Sequence, residues 1–362
     1  MTALDETRLL DTGGRAVAQN LADGSRVLGT LRTGIGFAGR HHGEILQGAW
    51  RAPNAASNAA AAPQEPVRGA TGIVRPVRGR NCCAPGTAGP VPCLVTMPVP
   101  EHGSTARFDR GADSSIQVRP AWKVKAARAA RLALDLLGEQ RTGGMLTVDC
   151  PVPAGLGLGS STSDVVAAIR AVCNAYCVPM DSRRVARLAV AAEGASDPIM
   201  FEEGVLFAPR RGRVLQRWAG GLPAFLVVSI DTDPGRGGVD TLSIPVPQYT
   251  AAELDQYEEL ILRARMAFRE HDAVALAAVA TRSAELNQRF LPMRGFAQLL
   301  ALTRRPGCLG LQISHSGTVA GLLFDPASGQ EAACGVRPAV EALGMRCLGV
   351  FRAGRGSEAA GV

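Results

Sequence analysis

From Pro151 to Ser163 the chain reads PVPAGLGLGSSTS and runs into an apolar stretch with helical spacing. Gly155, Gly157 and Gly159 let the backbone approach a ligand closely and tolerate positive φ. Behind them Ser160, Ser161, Thr162 and Ser163 place four hydroxyls in a row. A helix starting near Ser161 offers unpaired N–H groups and the positive end of its dipole, which suits phosphate. The hydroxyls suit hydrogen bonds to phosphate or ligation of Mg²⁺, so the expected ligand is a nucleoside triphosphate. The competing reading is a helix that is only well capped, since Ser and Thr favour N-caps and Gly favours turns. No Gly-Lys-Ser/Thr follows at Walker A spacing, and no glycine stands two residues after Ser160 or Ser161 as a nucleophile elbow requires.

A second glycine pattern, Gly34-Ile-Gly36-Phe-Ala-Gly39, matches Gly-x-Gly-x-x-Gly in form. His41-His42-Gly43-Glu44 follows it where a dinucleotide site needs a helix, which argues against a nicotinamide enzyme. Glu44 stands alone as a charge among Gly, His and Ile and could receive a substrate ammonium, with Gln47 close by for a carboxylate or hydroxyl. The alternative for Glu44 is a solvated turn residue. His41 and His42 read as core or surface histidines, without a catalytic part.

The elements that must position these residues follow from hydrophobic periodicity. Met145–Cys150 alternates as a strand feeding the glycine loop. Helical spacing covers 121–137, 164–176, 182–195, 251–271, 273–288, 296–303 and 332–343. Strands are expected at 93–99, 204–209, 224–230, 309–314, 321–324 and 347–351, and a strand, turn and second strand over 27–47. Helices and strands mix without βαβ repetition, which favours α+β over a doubly wound sheet. Residues 1–28 read as a loose extension and 52–92 as a low-complexity insertion of Ala, Pro, Asn, Gly and Arg. A composition break near Pro209–Pro223 divides an ATP-binding part over 29–215 from a C-terminal part over 216–362.

With 362 residues the chain can bury a sizeable core. A formal charge of +7 suits an anionic ligand, and could also suit nucleic acid or reflect only the base composition of the coding DNA. Aromatics are 4% and are not interleaved with the arginines, so no stacking platform for single strands is expected, and no nucleic-acid partner. No apolar run is long enough for a membrane span, and Asp5, Glu6 and Asp11 argue against a transit peptide, so the expected location is the cytoplasm. Nine scattered cysteines show no paired Cys-x-x-Cys spacing; Cys173 and Cys177 would share a helix face, but no histidines complete a metal site, so reduced thiols are expected.

Three stretches in order resemble the GHMP kinase superfamily (galactokinase, homoserine kinase, mevalonate kinase and relatives). Pro153-Ala-Gly155-Leu156-Gly157-Leu158-Gly159-Ser160-Ser161-Thr162 matches the central Pro-x-x-x-Gly-Leu-Gly-Ser-Ser-Ala motif. Gly39-Arg-His-His-Gly43-Glu44-Ile-Leu-Gln47-Gly48 stands for the N-terminal motif. Ser314-His-Ser316-Gly317-Thr318-Val-Ala-Gly321 stands for the C-terminal glycine motif, departing from its usual Gly-x-Gly-x-Gly-Gly form. More narrowly, Gly-Glu-Ile-Leu-Gln-Gly and Ser196-Asp197-Pro-Ile-Met-Phe201 resemble the L-threonine kinases of cobalamin synthesis and propanediol utilisation.

The resemblance implies a two-domain α+β fold, with a ribosomal-protein-S5-like N-terminal domain and a ferredoxin-like C-terminal domain. It implies ATP and Mg²⁺ as cofactors and phosphoryl transfer to a small-molecule hydroxyl. Asp197 matches the position of the family's base, and Glu193, one helical turn earlier, would join Ser161 on Mg²⁺. Glu44, Gln47, Ser316, Gly317 and Thr318 would meet the acceptor. L-Threonine is the expected acceptor; homoserine, another amino alcohol, a sugar or a secondary-metabolite hydroxyl is the alternative. A non-catalytic nucleotide or nucleic-acid binder, or a homodimer, is compatible with the sequence.

Overall fold

The computed structural model describes residues 33–51, 89–151, 157–236, 243, 245, 247–315 and 318–354. The expected extension over 1–28, most of the insertion over 52–92, and Pro153, Gly155, Leu156, Ser316 and Gly317 lie outside them.

Two long antiparallel strands, β1 (Thr33–Trp50) and β2 (Val91–Arg110), run through the centre of the molecule. On one side β2 pairs with β4 (Gly144–Asp149), which pairs in parallel with β3 (Ile116–Arg119). On the other, β1 meets β8 (Cys308–Ile313), followed by β9 (Val319–Phe324), β7 (Phe225–Asp231) and β10 (Arg346–Ala353), all antiparallel. A short hairpin, β5 (Gly204–Ala208) and β6 (Arg213–Trp218), hangs from β2. The single parallel pair among these ladders makes the sheet α+β in character.

Helices α1 (Val124–Leu136), α2 (Ser160–Ala175) and α3 (Ser182–Glu193) pack over the first half of the sheet, around Phe108, Leu146 and Ile169. Helices α4 (Ala251–Glu270) and α5 (Ala273–Asn287) enclose a second apolar cluster with Ile45, Leu46 and Met97. A third, under β7, β8 and β9, is closed by α6 (Phe296–Leu302), α7 (Gly329–Cys334) and α8 (Arg337–Ala342).

Several elements differ from the periodicity reading. Of the strand, turn and strand expected over 27–47, residues 27–32 lie outside the described residues and 33–47 form one bent strand, because Gly43 at φ 67° and three register shifts bend the ladder without ending it. The helix expected at 332–343 is two short ones, α7 and α8, since Pro338 starts a new helix at its first turn. Strands β3 and β6 are too short and too polar to show alternation. Cys173 and Cys177 do not share a helix face: α2 ends at Ala175, and Cys177 is left-handed at φ 52°. None of the seven described cysteines is in a disulfide.

The Gly34-Ile-Gly36-Phe-Ala-Gly39 pattern has a packing cause. A Cβ on Gly34 would lie 2.1 Å from the Ala171 carbonyl, and one on Gly36 2.3 Å from the Ala167 carbonyl. The alternating glycines let the alanine face of α2 lie directly on β1, and no dinucleotide loop exists there.

Candidate active site

The glycine loop enters α2 through Gly157 and Gly159, both left-handed at φ 78° and 72°. Gly159 is the N-cap, and no side chain caps the helix. This removes the reading of the hydroxyl run as mere capping, because those hydroxyls are spent elsewhere. Ser161 Oγ donates to Glu193 Oε2 at 2.9 Å; Thr162 Oγ1 donates to Glu193 Oε1 at 3.0 Å and lies 3.2 Å from Asp197 Oδ2. Ser163 Oγ donates to the Ala38 carbonyl and accepts from the Ser104 N–H, pinning the helix start to β1 and β2.

Glu193 sits in the last turn of α3, at the negative end of that helix dipole, where a carboxylate is unfavourable. Gly194 at φ 88° ends the helix, and the chain turns so that Asp197 faces the same space. Burial and the Asp197 charge push the Glu193 carboxyl up to about 7, against the hydrogen bonds from Ser161 and Thr162.

From the opposite side comes the bent part of β1. His41 Nε2 lies 3.0 Å from Asp197 Oδ2, and its Nδ1 3.7 Å from Glu44 Oε1. Burial alone would lower the His41 imidazole, but the charge and hydrogen bond of Asp197, with Glu44, raise it to about 9. Burial alone would raise Asp197; His41 holds it down at about 2. The two therefore form an ion pair at neutral pH. Burial pushes Glu44 well above the usual carboxylate range, and both of its oxygens are buried without a hydrogen-bond partner among the described residues.

His41, Glu44 and Asp197 offer ligand atoms within 4.8 Å of one another. In this structure the trio is joined by the His41–Asp197 ion pair, with the Glu44 carboxyl beside it. The harder donor set is Ser161 and Glu193, oxygen donors in contact at the helix N-terminus, which fits Mg²⁺.

The structure thus brings Ser161, Thr162, Glu193, Asp197 and Glu44 together. Leu158 is buried under the loop, and Ser160 faces a cleft of about 600 Å³ beside Trp122, Lys123, Lys125 and Cys150. Gln47 makes no hydrogen bond with the group; its backbone N–H bonds Ser283 Oγ at 2.9 Å and its side-chain nitrogen is buried without a partner. Thr318 Oγ1 donates to Asp231 Oδ1 at 2.7 Å.

His41 is the residue that sequence reasoning missed. Its neighbour His42 is structural: Nε2 meets Ser229 Oγ at 2.7 Å and Nδ1 meets Gln312 Nε2 at 2.5 Å, with burial holding its imidazole down at about 3. As consecutive residues of one strand, the two send their side chains to opposite faces. Their adjacency to Gly43 was the available signal.

Comparison with known proteins fits this arrangement. The family model for the GHMP kinase N-terminal domain matches residues 124–204, and that for the C-terminal domain matches 264–340, in the same order. Both domain models of the GHMP kinase family thus match this chain. The first match holds α1, the N-terminus of α2, Glu193 and Asp197, so the assembled group lies largely within the family's N-terminal domain. An L-threonine kinase of Salmonella typhimurium is 28% identical over 177 residues, covering 48% of this chain and 57% of that protein. One of Citrobacter freundii is 27% identical over 183 residues, covering 50% and 62%. The matches thus span less than two thirds of these relatives' lengths. Among solved structures, the homoserine kinase of Cytophaga hutchinsonii aligns at TM-score 0.59 and 14% identity, over 91% of this chain and 96% of that one. The Lactococcus lactis galactokinase, complexed with galactose, aligns at TM-score 0.59 and 12% identity, over 95% and 98%. At such identities these share the two-domain GHMP kinase fold alone.

Proposed function

We propose that this GHMP kinase transfers the γ-phosphate of ATP to the hydroxyl of L-threonine or a similar amino alcohol, giving O-phospho-L-threonine. The observation that carries the reading is the convergence of Asp197 and Glu193 on the hydroxyls at the uncapped N-terminus of α2. A nucleotide binder without chemistry has no use for two carboxylates there, one buried and one half-buried.

The cleft beside α2 takes the nucleotide, with its phosphates on the helix N–H groups. Mg²⁺ would be held by Ser161 and Glu193, and when bound it offsets phosphate charge. Asp197 accepts a hydrogen bond from the acceptor hydroxyl and aims it at the phosphorus. A carboxylate held at about 2 is a weak base, so orientation is its main work, with the proton leaving late as the new P–O bond forms.

Glu44 receives the acceptor's ammonium, whose charge would offset the burial that now disfavours its ionised form. Across β8 from Glu44, whose register partner is Ile313, lies a small cavity of about 60 Å³. Ser314, Thr318, Arg236 and Arg294 line it, and the Ser314 hydroxyl is buried without a partner among the described residues. The two arginines share one carboxylate, Asp233, and so keep spare positive charge for an acceptor carboxylate. Ser316 and Gly317 also meet the acceptor in this reading. The division into an ATP-binding part over 29–215 and a C-terminal part over 216–362 also belongs to it.

The test is ADP formation with Mg²⁺ and L-threonine, L-serine, L-homoserine, amino alcohols or simple sugars. Phosphothreonine is the expected product. Turnover with another acceptor only would keep the kinase and discard threonine; failure to bind ATP would sink the reading.

A further inference from the structure

We infer that His41 is the positioning residue of the reaction: it fixes the orientation of Asp197 toward the acceptor from beneath the phosphate-binding helix, and is itself braced by Glu44. The inference rests on the phosphotransfer reading above and adds to it a residue outside the expected set.

Three independent contacts define the role. First, the imidazole takes up one carboxylate oxygen, Oδ2, through the 3.0 Å contact from Nε2. With Oδ2 held by His41 and Thr162, Asp197 cannot rotate freely, and Oδ1 is the oxygen left for a hydroxyl. Second, the ring packs on the N-cap of α2. A Cβ on Gly159 would lie 2.2 Å from His41 Cδ2 and 2.7 Å from Nε2, so only glycine at that position leaves the imidazole its place. The last glycine of the loop thus serves the histidine as well as its own left-handed backbone. Third, Nδ1 has no side-chain hydrogen-bond partner among the described residues, and the Glu44 carboxyl lies 3.7 Å from it. A proton on Nδ1 faces a carboxyl whose oxygens are also unpartnered, an arrangement that stability alone does not favour.

The bend in β1 makes this possible. Register shifts at Gly39/Arg40 and at His41/Glu44, with Gly43 left-handed, bring His41 and Glu44 close while His42 is held by Ser229 and Gln312. The groups facing Asp197 are then His41 and Glu44 from β1, Thr162 from α2, Glu193 from α3 and His315 from the turn after β8. Of these, only His41 has a ring nitrogen in hydrogen-bonding contact with the carboxylate.

The test is steady-state kinetics of the full chain with the acceptor that wild type uses, on His41→Ala, His41→Gln, Asp197→Asn and the His41→Ala/Asp197→Asn double variant. His41→Ala is expected to lower kcat by a hundredfold or more with KM for ATP within threefold, and a melting profile confirms that it is folded. Gln can place its amide N–H where Nε2 stood, so His41→Gln should recover at least tenfold of the loss. In the Asp197→Asn background, removing His41 should change kcat by less than threefold, since nothing remains to position. Equal losses in both backgrounds, no rescue by Gln, or a folded His41→Ala with wild-type kcat would each overturn the inference while leaving the kinase intact. A wild-type protein that makes no ADP with any acceptor overturns the phosphotransfer reading, and this inference with it.

Discussion

At one side of the start of α2, Lys123 Nζ sits 2.7 Å from both oxygens of Asp164, and Ser104 Oγ adds a third hydrogen bond at 2.7 Å. At the other, His41 and Asp197 pair beside Glu44, whose oxygens have no partner, and Glu193, whose carboxyl stands at the wrong end of its helix. Both groups are buried and ionic, and both hold the same helix terminus. The first has its carboxylate fully satisfied, which is how a buried pair is kept for structure. The second leaves polar atoms unpaired and carboxyls displaced from their ordinary range, which stability does not reward and a reaction can use.

The largest expected effect falls on the second group. Asp197→Asn should lower kcat by about 10²–10⁴-fold without unfolding the protein, read by ADP release and a melting curve. Comparable activity would remove the distinction between the two groups. On the first group the effect should be on stability: Lys123→Met leaves Asp164 buried and uncompensated and should cost about 3–5 kcal/mol in urea unfolding. A Lys123→Met/Asp164→Leu double variant should recover most of it, since an apolar pair replaces the ionic one.

Acidity separates the groups further. The folded state raises His41 from 6.5 to about 9, so its contribution is complete below pH 6.5 and is lost as pH rises toward 9. Across that window this group should lower the unfolding free energy by about 1.4 kcal/mol per pH unit, and His41→Gln should remove that slope. Asp197, lowered from 3.8 to about 2, gives the opposite limb: its contribution holds above 3.8 and fades as pH falls toward 2. The smallest effect concerns the unpartnered oxygens. Glu44→Met should stabilise the fold by about 1 kcal/mol while raising KM for an amine-bearing acceptor. A loss of stability instead would mean that Glu44 belongs with the structural pair.

Much of this was legible before any coordinates. The glycine loop, its hydroxyl run and the two carboxylates at the end of α3 and just past it are local patterns. A turn needs glycine, a helix start exposes N–H groups, and Glu193 and Asp197 are one helical turn apart. The Gly34–Gly39 pattern shows the limit of such reading, because its glycines answer to the backbone of α2, more than a hundred residues away. His41 and His42 are the sharper case. Side by side they are chemically identical, and one became part of the site while the other clamps β1 to β7 and β8.

The sequence by itself determined the glycine turn, the hydroxyl run behind it and which carboxylates stood near, since these follow from short-range backbone geometry. Only the tertiary structure decided that the hydroxyls serve Glu193 instead of capping their helix, that His41 holds Asp197, and that Glu44 is buried beside them. Those facts depend on how a bulged strand, a helix start and a helix end meet. Each is fixed by packing between segments far apart in the chain, and no local spacing encodes it.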